Sequence, residues 1–304
     1  MEANQVSSTA RISAFVRALH AAHDTPKIFD DFLAPQMFTE EERALFRENL
    51  SMALAFFDPE HAAISPDQAT ALHWFTRAQS GPIVLSRARY TEDGLEAAVK
   101  EGVRQYVILG AGLDTFAFRR PDLLKQIQVF EIDHPATQEF KRRRLAELGW
   151  ELPPQLNFIP VDFNDSSLTT ALEQSAYDPQ VLSFFSWLGV TYYLTREVVL
   201  GTLGSIAGIA PTGSPIIFDY LDTDAFVPEK AAKRVQLMQE AARRGGEPMK
   251  GGLDPLALPA ELAKVGLRLL EDLQPADIQA RYFDGRTDGY YAFEHVHLAW
   301  AVVA

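Results

Sequence analysis

From about residue 103 the chain alternates short, continuously apolar segments with stretches of helical spacing, and no other feature limits its fold as tightly. VRQYVILGAG, QIQVFEIDHP, QLNFIPVDF, PQVLSFFSWLGV and SPIIFDYLD read as five strands, with helices at PATQEFKRRRLAEL and REVVLGTLGSIAGIA. Strands joined by helical crossovers run parallel, and strands buried on both faces lose the polar alternation of a half-exposed sheet. LRLLEDLQ and HVHLAWAVVA restore strand character at the end. The expected class is therefore α/β, built on a mostly parallel sheet.

Around that core the 304 residues divide into regions of one domain. Residues 1–100 read as a helical cap, rich in alanine and punctuated by Pro26, Pro35, Pro59, Pro66 and Pro82. Residues 101–223 carry the five strands. Residues 224–260 interrupt the alternation with a charged helix and the tract RRGGEPMKGG, as a lid insertion would, and 261–304 complete the sheet.

The net charge of −13 argues against a nucleic-acid surface, which needs a basic face for phosphates. The basic run Lys141-Arg142-Arg143-Arg144 falls on a helix and reads as a solvated face. No cysteine is present, so thiolate metal sites, disulfides and cysteine nucleophiles are excluded. No apolar run approaches the roughly 20 residues that cross a bilayer. The first residues lack a basic flank followed by an apolar stretch, so a cytoplasmic protein without a signal peptide is expected.

The first strand ends in Gly110-Ala111-Gly112, then Asp114-Thr115. A dinucleotide fingerprint places glycine at the third position, where this chain has Thr115. Gly110 and Gly112 still allow a ligand close to the backbone. Glu131 and Asp133 end the second strand, where ribose hydroxyls would be met. Turn and acids together indicate an adenosine-type ligand, either NAD or S-adenosylmethionine. Asp162-Phe163 ends the third strand. Its carboxylate either accepts from an adenine amino group or caps the next helix.

In order and spacing, STARISAFVRALH (8–20), SRARYTEDGLEAAVKEGVRQYVILGAGLDTFAFR (86–119), VFEIDHPATQEFKRRRL (129–145), FIPVDF (158–163) and SWLGVTYYLT (186–195) resemble the leucine carboxyl methyltransferase-like family. GEP (246–248) and HVHLAWAVV are weaker echoes. The resemblance, close to bacterial polyketide O-methyltransferases, implies a class I methyltransferase sheet of seven strands with the last antiparallel. It further implies added N-terminal helices, a helical lid and S-adenosylmethionine as methyl donor, leaving as S-adenosylhomocysteine. By the same resemblance Gly110 and Gly112 pass beside the donor's methionine part, Asp133 binds the ribose hydroxyls with Glu131 in support, and Asp162 and Phe163 meet the adenine. Arg87, opening the RAR pattern, matches an arginine that pairs with the donor's carboxylate. Many relatives carry glutamate where this chain has Leu188.

The expected activity is O-methylation of a small-molecule carboxylate or hydroxyl. The alternatives are an NAD-dependent oxidoreductase and a cofactor-binding protein without catalysis, the latter suggested by Leu188. An ionised carboxylate acceptor needs no base, whereas an alcohol or phenol gains from one. His134, Tyr192, Tyr193, Glu294 and His295 are candidates, none singled out by its pattern. His134 also suits a helix cap. His295 and His297, two apart on a strand, read as a structural pair and not a metal site.

Overall fold

The computed structural model describes residues 6–65, 67–161 and 168–304. Helices α1 (Ser8–His23), α2 (Glu40–Phe57), α3 (Pro59–Ile64), α4 (Gln68–Ala78) and α5 (Ser80–Lys100) precede the first strand. Two of the prolines sit where helices tolerate them: Pro59 opens α3, and Pro82 lies in the first turn of α5, where no intrahelical N–H bond is lost. Then follow β1 (Gln105–Leu109), α6 (Phe116–Arg119), α7 (Pro121–Leu124), β2 (Gln128–Asp133), α8 (Pro135–Glu147), β3 (Leu156–Pro160), α9 (Leu168–Glu173) and β4 (Ser183–Trp187). The rest comprises α10 (Arg196–Ile209), β5 (Pro215–Leu221), α11 (Lys233–Arg244), α12 (Leu258–Lys264), β6 (Leu267–Leu273), α13 (Pro275–Ile278) and β7 (Val296–Val303).

The seven strands form one sheet in the order β3-β2-β1-β4-β5-β7-β6. β1 to β5 are parallel, and β7 runs antiparallel between β5 and β6, the reversal that the methyltransferase resemblance implies. Period-two alternation divides the strand residues between two cores. Val107, Leu109, Phe130, Phe185, Trp187 and Phe218 pack towards α9, α10 and α12. Tyr106, Ile108, Val129, Phe184 and Ile217 pack with α5. Central β1, β4 and β5 are buried along their whole length, whereas edge strand β6 alternates. A third core joins α1, α2 and α4 to α8 and to Leu113 after β1.

One expectation is corrected here. The basic run on α8 is not a uniformly solvated face. Arg142 and Arg143 are exposed, but Lys141 and Arg144 turn inward. Lys141 Nζ lies 2.5 Å from Glu131 Oε2 on β2, and Arg144 Nη2 lies 2.7 Å from Glu42 on α2. Residues three apart share a helix face, so the two cations that meet acids of β2 and α2 are the two on the inner face.

Candidate functional site

The carboxyl ends of β1, β2 and β4 open into a cavity of about 330 Å³. Its walls are the inner stripes of α1 (Ala10, Ser13, Arg17) and α5 (Val84, Arg87, Thr91, Leu95), spaced three or four apart as one helix face requires. Gly246, Glu247, Pro248 and Lys250 lie across it. Such crevices are where open α/β sheets take ligands.

Gly110 and Gly112 have φ of 72° and 53°, in the left-handed region that a Cβ disfavours. Both are also closely packed. A Cβ on Gly110 would stand 2.6 Å from Val190 Cγ2, and one on Gly112 would stand 3.1 Å from Ala10 Cβ. The turn is thus clamped between α1 and the segment after β4. Gly110 N and Ala111 N donate to Ile132 O at 2.8 and 3.2 Å, anchoring it to β2.

Asp133 lies beside this turn. Its Oδ2 accepts from Gly112 N, and its Oδ1 accepts from His134 N at 2.6 Å. Burial pushes its carboxyl above the usual range, against these two amide donors. Each oxygen can still accept a second hydrogen bond. Glu131 points from the same strand face one layer deeper and does not line the cavity. Its Oε2 accepts from Lys141, and burial raises the pKa to about 7 despite that partner. Any support it gives Asp133 comes from behind the wall.

Arg87 lines the cavity and is almost wholly buried. Its Nη1 donates to Asp219 Oδ2 at 2.8 Å and to Tyr192 Oη at 3.0 Å. Burial works against its charge, but Asp219 outweighs that and raises its pKa. Asp219 Oδ1 accepts from Gly189 N at 2.6 Å, so one carboxylate fixes both the arginine and the backbone after β4. A Cβ on Gly189 would meet Arg87 Nη2 at 2.6 Å; glycine lets the guanidinium lie flat there. Leu188 borders the cavity in place of the expected carboxylate.

Further residues complete the wall. Tyr106 Oη and Ser186 Oγ are 3.0 Å apart and buried, while Thr91 Oγ1 has no hydrogen-bond partner among the described residues. Thr115, at the third fingerprint position, donates to Asp31, which also holds Arg17 and the Ala34 N–H. Tyr193 lines the cavity, as does His134, whose Nδ1 accepts from Ala136 N at 3.3 Å in the capping role its position suggests. Asp162 and Phe163 lie outside the described residues; their neighbour Val161 lines the cavity.

The other base candidates are engaged elsewhere. Tyr192 Oη accepts from Arg87, and Glu294 pairs with Arg234 Nε at 2.7 Å. His295 precedes β7 with φ of 64°, so it is not on the strand with His297 as expected. Both nevertheless converge on Asp222, at 2.8 Å from His295 and 3.6 Å from His297, and His297 also meets Asp272 at 3.3 Å. No cluster of three metal-ligating side chains occurs among the described residues.

Sequence reasoning missed Asp219 and the α1 stripe. An acid inside the apolar run PIIFDYL was the available signal, because a buried charge needs a partner. The α1 residues carry no such mark.

Comparison with known proteins gives a consistent picture. The profile of the leucine carboxyl methyltransferase family matches residues 10–207. The chain is 40% identical over 303 residues to the candidate S-adenosyl-L-methionine-dependent methyltransferase YktD of Bacillus subtilis, covering 99% of both. It is 32% identical over 221 residues to a similarly named protein of Mycolicibacterium smegmatis, covering 70% of this chain and 66% of that one. A crystal structure of a duf574 family protein from Streptomyces avermitilis shares the fold, with a TM-score of 0.60 at 15% identity over 99% of each chain. With the profile matching well over half its length and a relative aligned end to end, the chain belongs to the leucine carboxyl methyltransferase family.

Proposed function

We propose that the protein methylates an oxygen, carboxylate or hydroxyl, of a small organic molecule. Its family makes it an S-adenosylmethionine-dependent methyltransferase. The observation that carries the finer reading is the cavity itself. At about 330 Å³, walled by two helices and crossed by residues 246–250, it suits a small ligand.

The residues present fit the donor. Gly110 and Gly112 keep side chains away from the turn, and Asp133 retains acceptor capacity for ribose hydroxyls. Among the described residues Arg87 commits only Nη1 to protein partners, leaving other donors of its planar fork for a carboxylate. S-adenosylmethionine, when bound, supplies an activated methyl group and leaves as S-adenosylhomocysteine. The protein's task is to hold the acceptor oxygen close, in line and away from water. A carboxylate acceptor has no proton to lose; a hydroxyl acceptor gives one up as its bond to the methyl carbon forms.

The oxidoreductase alternative fits the turn poorly. The helix after it has only four residues, and the carboxylates of Asp31 and Asp114 occupy its start through Thr115 and the Phe116 N–H. A pyrophosphate would meet negative charge where a dinucleotide site offers free amides. Incubation with methyl-labelled S-adenosylmethionine and an extract of the source cell tests the proposal. Label should enter a small molecule, released by mild base if it is an ester and retained if it is an ether. Label confined to polypeptide would refute it.

A further inference from the structure

Most cations in the cavity wall face an acid: Arg87 meets Asp219, Arg17 meets Asp31 and Arg119 meets Glu92. Glu247, in the GEP tract, is different. Its carboxylate accepts from Thr9 Oγ1 and makes no ion pair among the described residues. Its location is fixed from two sides. Thr9 adjoins Ala10, whose methyl packs on Gly112, and Tyr193 Oη, 3.5 Å from Thr9 Oγ1, belongs to the turn whose Val190 packs on Gly110. Glu247 therefore lines the cavity beside the two segments that clamp the glycine turn.

We infer that Glu247, in the 246–250 segment, recognises the positive sulfonium of the methyl donor. This rests on reading the cavity as the S-adenosylmethionine site. The donor carries a sulfonium charge and its product, a thioether, does not. A carboxylate in the cavity wall favours the charged form by direct Coulomb attraction. Lys250 lines the same cavity, but its side chain is exposed, where water and salt screen it. Of the described lining residues five are acidic and four basic, so the wall does not cancel a carboxylate's preference for a cation. Selection for the charged form would also ease product release, because the attraction ends when the methyl group leaves.

The test is isothermal titration of S-adenosylmethionine and S-adenosylhomocysteine into the wild-type protein and Glu247→Gln, without any acceptor. The substitution should weaken donor binding about tenfold while product binding changes less than about twofold. Thr9→Val, which keeps the carboxylate but removes its orienting hydroxyl, should lower the donor-to-product affinity ratio about two- to threefold, and it serves alone if Glu247→Gln does not fold. An unchanged ratio in the folded variants overturns the inference and leaves the donor site standing. Failure of the wild-type protein to bind either ligand overturns both.

Discussion

Replacing Asp219 by asparagine removes one charge and almost no volume, and its consequence follows from the burial of its partner. Asp219 is fully buried on β5, and the Arg87 side chain is 9% exposed. The guanidinium would remain in the cavity wall with only Tyr192 Oη and a neutral amide beside it. Breaking a buried pair by removing one partner costs about 3–5 kcal/mol, because the remaining charge lacks compensation. Taking roughly 2 °C per kcal/mol for a chain of this size, the melting midpoint should fall by on the order of 6–10 °C. Differential scanning calorimetry of Asp219→Asn, Arg87→Met and the double variant separates this from a generic packing defect. The double variant should melt above the sum of the single losses, since neither charge is then stranded. A fall below about 2 °C for Asp219→Asn, or strict additivity in the double variant, would refute the reasoning.

Two further predictions concern other parts of the molecule. His297 is buried, which alone would lower its pKa, but Asp222 and Asp272 win and raise it to about 9, with the Tyr220 ring stacked on it. A raised pKa stabilises the fold fully below the unfolded value of about 6.5, and the contribution fades as pH rises through about 9. Chemical denaturation should show roughly 3 kcal/mol less stability at pH 10 than at pH 6 from this group, and His297→Gln should flatten that slope; equal slopes would remove the assignment. The segment 240–252 should be cut more slowly by trypsin when S-adenosylmethionine is present, because Glu247 and Lys250 tie it across the cavity through Thr9 and the Tyr192 carbonyl. Unchanged cleavage counts against a lid.

The sheet was legible because its physics is local. Strands covered on both faces must be continuously apolar, and β1, β2, β4 and β5 announce themselves that way. The turn at Gly110 and the acid at Asp133 were legible for the same reason, being consecutive in sequence with the strands that carry them. Lys141 was misread because a charge run says nothing about which way each member points; only pairing with buried Glu131 does. The clasp of Thr9, Tyr193 and Glu247 joins three elements separated by more than a hundred residues in two of its pairings, and no periodicity encodes such a meeting. Leu188 was visible as a departure, but what borders the cavity with it was not.

We propose that Asp133, at the end of β2, holds the donor's ribose. Titration of S-adenosylhomocysteine into wild-type protein and Asp133→Ala tests this most directly. Loss of charge-assisted hydrogen bonds worth about 1.5–3 kcal/mol should weaken binding by roughly 10- to 150-fold in a variant that keeps its fold by circular dichroism. Wild-type affinity in that variant would contradict the account.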